Sequence, residues 1–189
     1  MAQNDRIILG IDPGTLVMGY GIIHVENKII RTIGMGIIKL EKFEEHALRL
    51  QKIFERTLGI IEEYKPDELA IEAQFFGKNV QSMLKLGRAQ GVAIAAALSK
   101  KIPVTEYSPK KIKMSITGNG NASKEQVAGM LVQILGIKKD QKYLDATDAL
   151  GAALCHYYQT GNEGTSKTGI KKSYSGWKAF ITDNPKRKG

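Results

Sequence analysis

Arg6-Ile7-Ile8-Leu9-Gly10-Ile11-Asp12-Pro13-Gly14-Thr15 decides the fold, because a short apolar run stops abruptly on a carboxylate and a turn. Proline fixes φ and glycine tolerates positive φ, so the run reads as a strand that ends at Asp12. Working outward, Gly19 to Val25 and Ile29 to Leu40 are two more β-like runs, separated by the polar Glu26-Asn27-Lys28 that a hairpin loop would use. Three strands in succession predict an antiparallel meander. From Ala47 to Tyr64 the apolar positions Leu50, Ile53, Phe54, Leu58, Ile61 and Tyr64 recur at three and four, which predicts an amphipathic helix ended near Lys65-Pro66. Leu69-Ala70-Ile71-Glu72 is a fourth strand closing on a carboxylate, and Asn79 to Lys100 is a helix rich in small residues, so the two make a βα unit. Val104 to Tyr107 is a last short strand. Ser108-Pro109 then opens a basic helix, Ser123 and Gln126 form a capping box for another, and a final helix runs from about Leu144 to Tyr158.

A chain of 189 residues is long enough for one domain with a proper core and short for two. With 42% hydrophobic and 25% charged residues it is not disordered throughout. The formal charge of +9 favours polyanionic partners, nucleic acid ahead of an anionic membrane. No apolar run approaches the ~18 to 20 residues of a bilayer span, and Met1 to Arg6 is polar, so no signal peptide or membrane partner is expected and the location is read as cytoplasmic. The single Cys155 cannot form an internal disulfide, and His24, His46 and His156 lack metal-ligand spacing. Composition shifts after Tyr158: residues 159–189 are rich in Gly, Ser, Thr and Lys and hold seven basic residues against Glu163 and Asp183, which is +5 of the +9. A folded body over 1–158 and a basic, flexible tail over 159–189 are therefore expected.

Several carboxylates lack an obvious structural reason. Asp12 and Glu72 each end an apolar strand, where a carboxylate costs solvation unless it is exposed or meets a cation. Parallel neighbours would put both on one sheet edge, where α/β folds gather ligands. Asp145 and Asp148 are three apart and share one face of a helix, so they repel. Singly, each acid has a plain reading: turn former, surface residue or helix cap. Together they make a cluster of hard oxygen donors without His or Cys, which suits Mg²⁺ with Mn²⁺ able to substitute. Two such ions about 4 Å apart can activate water and steady a leaving oxygen in phosphodiester cleavage.

Ile8 to Thr15 with Gly19-Tyr20-Gly21, then Ala70-Ile71-Glu72, Ala89-Gln90-Gly91-Val92-Ala93 and Asp145-Ala146-Thr147-Asp148-Ala149-Leu150 closely resemble, in order and spacing, the bacterial Holliday junction resolvases of the RuvC family. The resemblance covers roughly Arg6 to Tyr158. It implies a ribonuclease H-like α/β fold, a five-stranded mixed sheet with three antiparallel N-terminal strands and then two parallel ones, flanked by helices. It implies a homodimeric, metal-dependent endodeoxyribonuclease that resolves four-way junction DNA by paired nicks in recombination and repair. A branch-migration motor complex, RuvA and RuvB, is the further partner it implies. By the same matching Asp12, Glu72, Asp145 and Asp148 correspond to the family's four metal-binding acids. Phe75 corresponds to the aromatic placed against junction bases, and Lys113 and Lys124 to lysines that contact DNA. The segment after Tyr158 has no counterpart in this pattern.

Other residues read more plainly. Cys155, among Ala152, Ala153 and Leu154, is a small core residue; His156 either packs or assists a proton transfer at the site. The small face around Gly87, Ala89, Gly91 and Ala93 allows close helix contact within the domain or across a dimer. Trp177, between Tyr174 and Phe180, is an aromatic cluster in the basic tail. Two rival readings differ in class. A phosphotransferase of the actin and sugar-kinase type shares the Gly10 to Thr15 hairpin, but needs two such domains and usually a second glycine-rich loop that this chain lacks. A non-catalytic nucleic-acid module fits the charge but leaves the acids unexplained, since carboxylates repel phosphate without a metal.

Overall fold

A computed structural model describes residues 5–74, 79–137 and 144–161. Strands β1 (Asp5–Asp12), β2 (Val17–Glu26), β3 (Ile29–Lys39), β4 (Glu68–Glu72) and β5 (Val104–Tyr107) form one sheet in the order β3-β2-β1-β4-β5. The β1–β2 and β2–β3 pairs are antiparallel and the β1–β4 and β4–β5 pairs parallel, which is the mixed sheet that was expected. The helices among the described residues are α1 (His46–Tyr64), α2 (Val80–Ser99), α3 (Pro109–Thr117), α4 (Lys124–Leu135) and α5 (Leu144–Thr160).

Local chemistry sets the boundaries. Glu26 pairs with Ile29 across a two-residue turn in which Asn27 and Lys28 have φ of 50° and 67°, the geometry that matches the twist of a hairpin. Lys65 ends α1 in the left-handed region just before Pro66. Ser108 accepts from the Lys111 amide with Pro109 in the first turn of α3, and Ser123 and Gln126 cap α4 reciprocally.

The sheet lies between two helical layers. Leu9, Ile11, Leu69 and Ile71 pack with Ile53 and Ile60 of α1 and Ala89 and Ala93 of α2. Ile8 and Ala70 pack on the opposite side with Ile112 of α3, Leu131 of α4 and Leu150 and Ala153 of α5. Side chains alternate along a strand, so Asp12 shares the face of Ile8 and Gly10, and Glu72 that of Ala70. Both acids thus project toward α5.

Two glycines let α5 settle directly on the strands. A methyl group at Gly10 would overlap the Ala149 carbonyl, and one at Gly19 would overlap the carbonyl of Asp145. Gly19 is the antiparallel partner of Asp12. The first turn of α5 is therefore seated beside the end of β1, and this contact sets the site.

Candidate active site

Strand pairing brings the first two acids together. The parallel β1–β4 ladder runs through Ile11 opposite Ile71, and Asp12 and Glu72 are the next residues on each strand. Asp145 and Asp148 arrive from the first turn and a half of α5. Carboxylate oxygens of Asp12, Asp145 and Asp148 lie within 4.8 Å of one another. Glu72 lines a cleft of about 190 Å³ with Asp12 and Asp148, and Lys113 and Lys124 line the same cleft. A larger open groove of about 470 Å³, between the end of α3 and α4, has no carboxylate or cation among its lining residues.

The electrostatics are those of a site short of positive charge. Burial, then the charges of Glu72, Asp148 and Asp145, push Asp12 up to about 8 against the opposing pull of Lys124. Glu72 is also raised, first by burial and then by Asp148, with Lys124 and Lys113 opposing. Lys124 Nζ bonds Asp148 Oδ2 at 3.1 Å, and Asp148 holds the lysine above its usual range. That lysine side chain is 75% exposed, so the pair contributes about 1 kcal/mol or less. The two lysines, Lys124 solvated and Lys113 acting on Glu72, offset the four acids only in part. Oxygen donors at this spacing, with an excess of negative charge and no nitrogen or sulfur ligand among them, fit a hard divalent cation.

Other sequence expectations fall elsewhere. His156 is buried away from the acids, sharing hydrogen bonds with Tyr107 Oη at 2.8 Å and Glu68 Oε2 at 3.0 Å, so it is a packed histidine. Cys155 is fully buried beside Ser115 Oγ. On α2, Ala89, Ala93, Ala96 and Ala97 are buried against the domain, while Gly87 and Gly91 face open space. Phe75, and Tyr174, Trp177 and Phe180 with the whole 162–189 stretch, lie outside the described residues.

Two supports have no role assigned from the sequence alone, although Gln90 lies within the Ala89 to Ala93 run that carries the resemblance. Arg49 of α1 donates to the Phe43 carbonyl at 2.6 Å and to the Thr15 carbonyl at 3.4 Å, tying α1 to the turn after Asp12. Gln90 of α2 donates to Glu106 and to the carbonyl of Glu72. The signal for the second was available: Gln90 is a lone amide on the small, apolar face of its helix.

Solved structures share this architecture. *Thermus thermophilus* RuvC superposes with a TM-score of 0.74 at 34% identity, covering 82% of this chain and 96% of that one. *T. thermophilus* RuvC in complex with Holliday junction substrate gives 0.76 at 33% identity, with the same coverage. Sheet order, flanking helices and the acidic edge define a metal-dependent nuclease of the ribonuclease H-like class. The sequence model of the family described as crossover junction endodeoxyribonuclease RuvC matches residues 8–156. A crossover junction endodeoxyribonuclease RuvC of *Christiangramia forsetii* is 62% identical over 98% of this chain and 94% of its own length. The chain belongs to the RuvC family of crossover junction endodeoxyribonucleases. The *C. forsetii* match spans 185 residues, so it continues past Tyr158 into the basic segment for which the motif pattern offered no counterpart.

Proposed function

We propose that this chain resolves four-way DNA junctions by paired symmetric nicks in recombination and repair, with Asp12, Glu72, Asp145 and Asp148 holding two divalent ions, Mg²⁺ or Mn²⁺. The observation that carries the reading is the acidic cluster at one sheet edge, only partly offset by the lysines on the wall of the same cleft. Bound there, divalent ions would make water a nucleophile near neutral pH and neutralise charge on the leaving oxygen. The chain's own groups do the positioning. Asp12 and Glu72 are carried by hydrogen-bonded strands, and Asp145 and Asp148 by a helix seated on glycine. Lys113 and Lys124 supply phosphate contacts, and the exposed Lys124 stem can exchange Asp148 for a DNA phosphate.

A junction in its open form is close to two-fold symmetric, so two copies of the site must face opposite strands, and a homodimer supplies them. The outward face of α2 supports such a pairing: Val80, Leu84 and Leu98 are 64%, 52% and 56% exposed around the open Gly87 and Gly91. Phe75, three residues beyond Glu72, is read as the aromatic that stacks on an unpaired base near the cut. Residues 1–158 are read as the nuclease body, with the basic 159–189 segment adding attraction for DNA. The family resemblance adds a branch-migration motor complex, RuvA and RuvB, as partner. No helix among the described residues is long and apolar enough to cross a membrane; the cytoplasmic location is part of the proposal and follows from action on chromosomal DNA.

The test is to incubate the purified protein with a synthetic four-way junction and Mg²⁺ and to map the cuts. Nicks at corresponding positions on two opposite strands, leaving ends that can be ligated, are expected. Cuts scattered along linear duplex arms would reduce the chain to a general metal nuclease.

A further inference from the structure

Gln90 is a polar side chain only 8% exposed, on a helix face whose neighbours Ala89 and Ala93 are fully buried. Burying an unbonded amide costs about 1–3 kcal/mol, so it needs partners. Its Nε2 donates a 2.7 Å hydrogen bond to Glu106 Oε2 on β5, a charge-assisted bond, and a longer one of 3.4 Å to the carbonyl of Glu72. The second bond is the informative one. The ladder between β1 and β4 ends at the Ile11–Ile71 pair, one residue short of the acids. Beyond it, the peptide group joining Glu72 to Ala73 is held at its N–H by the Tyr107 carbonyl, at 2.8 Å, and at its C=O by Gln90. The orientation of that peptide sets the direction in which the Glu72 side chain leaves the backbone.

Glu106 is not a further cation ligand in this arrangement. It stands opposite Ile71 in the β4–β5 register and so belongs to the α2 side of the sheet, whereas Glu72 projects to the α5 side. Glu106 instead anchors the Gln90 amide beneath the strand end.

We propose that Gln90 is a positioning residue for cleavage: held by Glu106, it fixes the last peptide of β4 through the Glu72 carbonyl and so aims the Glu72 carboxylate into the cleft with Asp12. This rests on the reading of Glu72 as a site acid. Partners that orient metal-binding carboxylates cost about 10- to 100-fold in metal affinity or activity when removed, and small misplacements are felt in turnover.

Gln90→Met keeps length and bulk but loses both donors. The expected result is a kcat on the four-way junction lower by about 10-fold or more, with KM within about twofold of native. The Mn²⁺ concentration that half-saturates the protein without DNA, read by electron paramagnetic resonance, should rise by a similar factor. Glu106→Gln keeps an acceptor for the amide and should retain most of the native kcat and Mn²⁺ binding, while Glu106→Leu should fall between the native protein and Gln90→Met. A lower melting temperature with native kcat and native Mn²⁺ binding would make Gln90 a packing residue and overturn the proposal. If Gln90→Met does not fold, the exposed Glu106 supplies the same comparison through its Gln and Leu variants. A native protein that fails to cut junctions would sink the functional reading alone, and the Mn²⁺ titration would still decide the role of Gln90.

Discussion

β1 and β4 carry charge at both ends, and the two ends are built on opposite principles. At their starts, Glu68 meets Arg6 at 3.5 Å and His156 at 3.0 Å, and Tyr107 closes the group by bonding the other nitrogen of the imidazole. Burial holds His156 below its usual range against the pull of Glu68. At their far ends, Asp12 and Glu72 meet Asp145 and Asp148, and the cations lining that cleft are Lys113 and Lys124. One acid with internal partners is finished when the chain folds. The four acids at the far end repel and are only partly offset by those lysines, which is the arrangement expected where a cation is to be taken up.

The comparison breaks most sharply under paired substitutions. Asp12→Asn should reduce junction cutting by about a hundredfold or more, the scale of losing one member of a preorganised charged site, with junction binding retained. Glu68→Gln should cut at the native rate and instead lose about 1–3 kcal/mol of stability, because it weakens the acceptor shared by Arg6 and His156. Cleavage assays and chemical denaturation on both variants read the two effects. Equal loss of cutting in both would erase the distinction between the ends.

A smaller perturbation tests how α5 delivers its acids. Gly19→Ala places a methyl against the Asp145 carbonyl and should push the first turn of α5 away from β1. Cutting should fall by about tenfold or more with a fold that still melts cooperatively. Native cutting would mean that the close seat of the helix is not what places Asp145 and Asp148.

The acidic end also predicts how stability follows pH without metal. Asp12 lies near 3.8 in an unfolded chain and about 8 when folded, so between those values the folded state binds more protons. Stability should therefore decline as pH rises from about 4 to about 8, the penalty being absent below the first value and complete above the second. Asp12→Asn should flatten that slope, and Mg²⁺ should oppose the decline in the native protein. Melting temperatures across the range, with and without Mg²⁺, check both signs. The smallest expected effect belongs to Lys113→Ala and Lys124→Ala, each lowering the slope of log affinity against log salt by about one. An unchanged slope would mean that neither lysine contacts a phosphate.

Strands and acids were legible because their signals are local. A run of apolar residues that ends in Asp-Pro-Gly needs no knowledge of the rest of the chain, and nor does Asp145-Ala146-Thr147-Asp148 opening a helix. What escaped depends on distant pairing. The Gln90 bond to Glu106 exists only because α2 returns beneath β5, and the His156 bond to Glu68 joins residues 88 apart. Gly10 and Gly19 were visible as part of a motif, but their reason, a helix backbone lying on the strand, appears only once α5 is placed over β1. Lys124 was singled out only through the family resemblance, as a DNA contact, and its bond to Asp148 appears only once α4 and α5 are brought together.

The most direct measurement is anomalous diffraction from crystals of the protein soaked in Mn²⁺. Two peaks among Asp12, Glu72, Asp145 and Asp148, both lost in Asp12→Asn crystals treated alike, with no peak beside Glu68, are the predicted result. Density beside Glu68, or none among the four acids of the native protein, would contradict the claim that only this end of the sheet is built to take up metal.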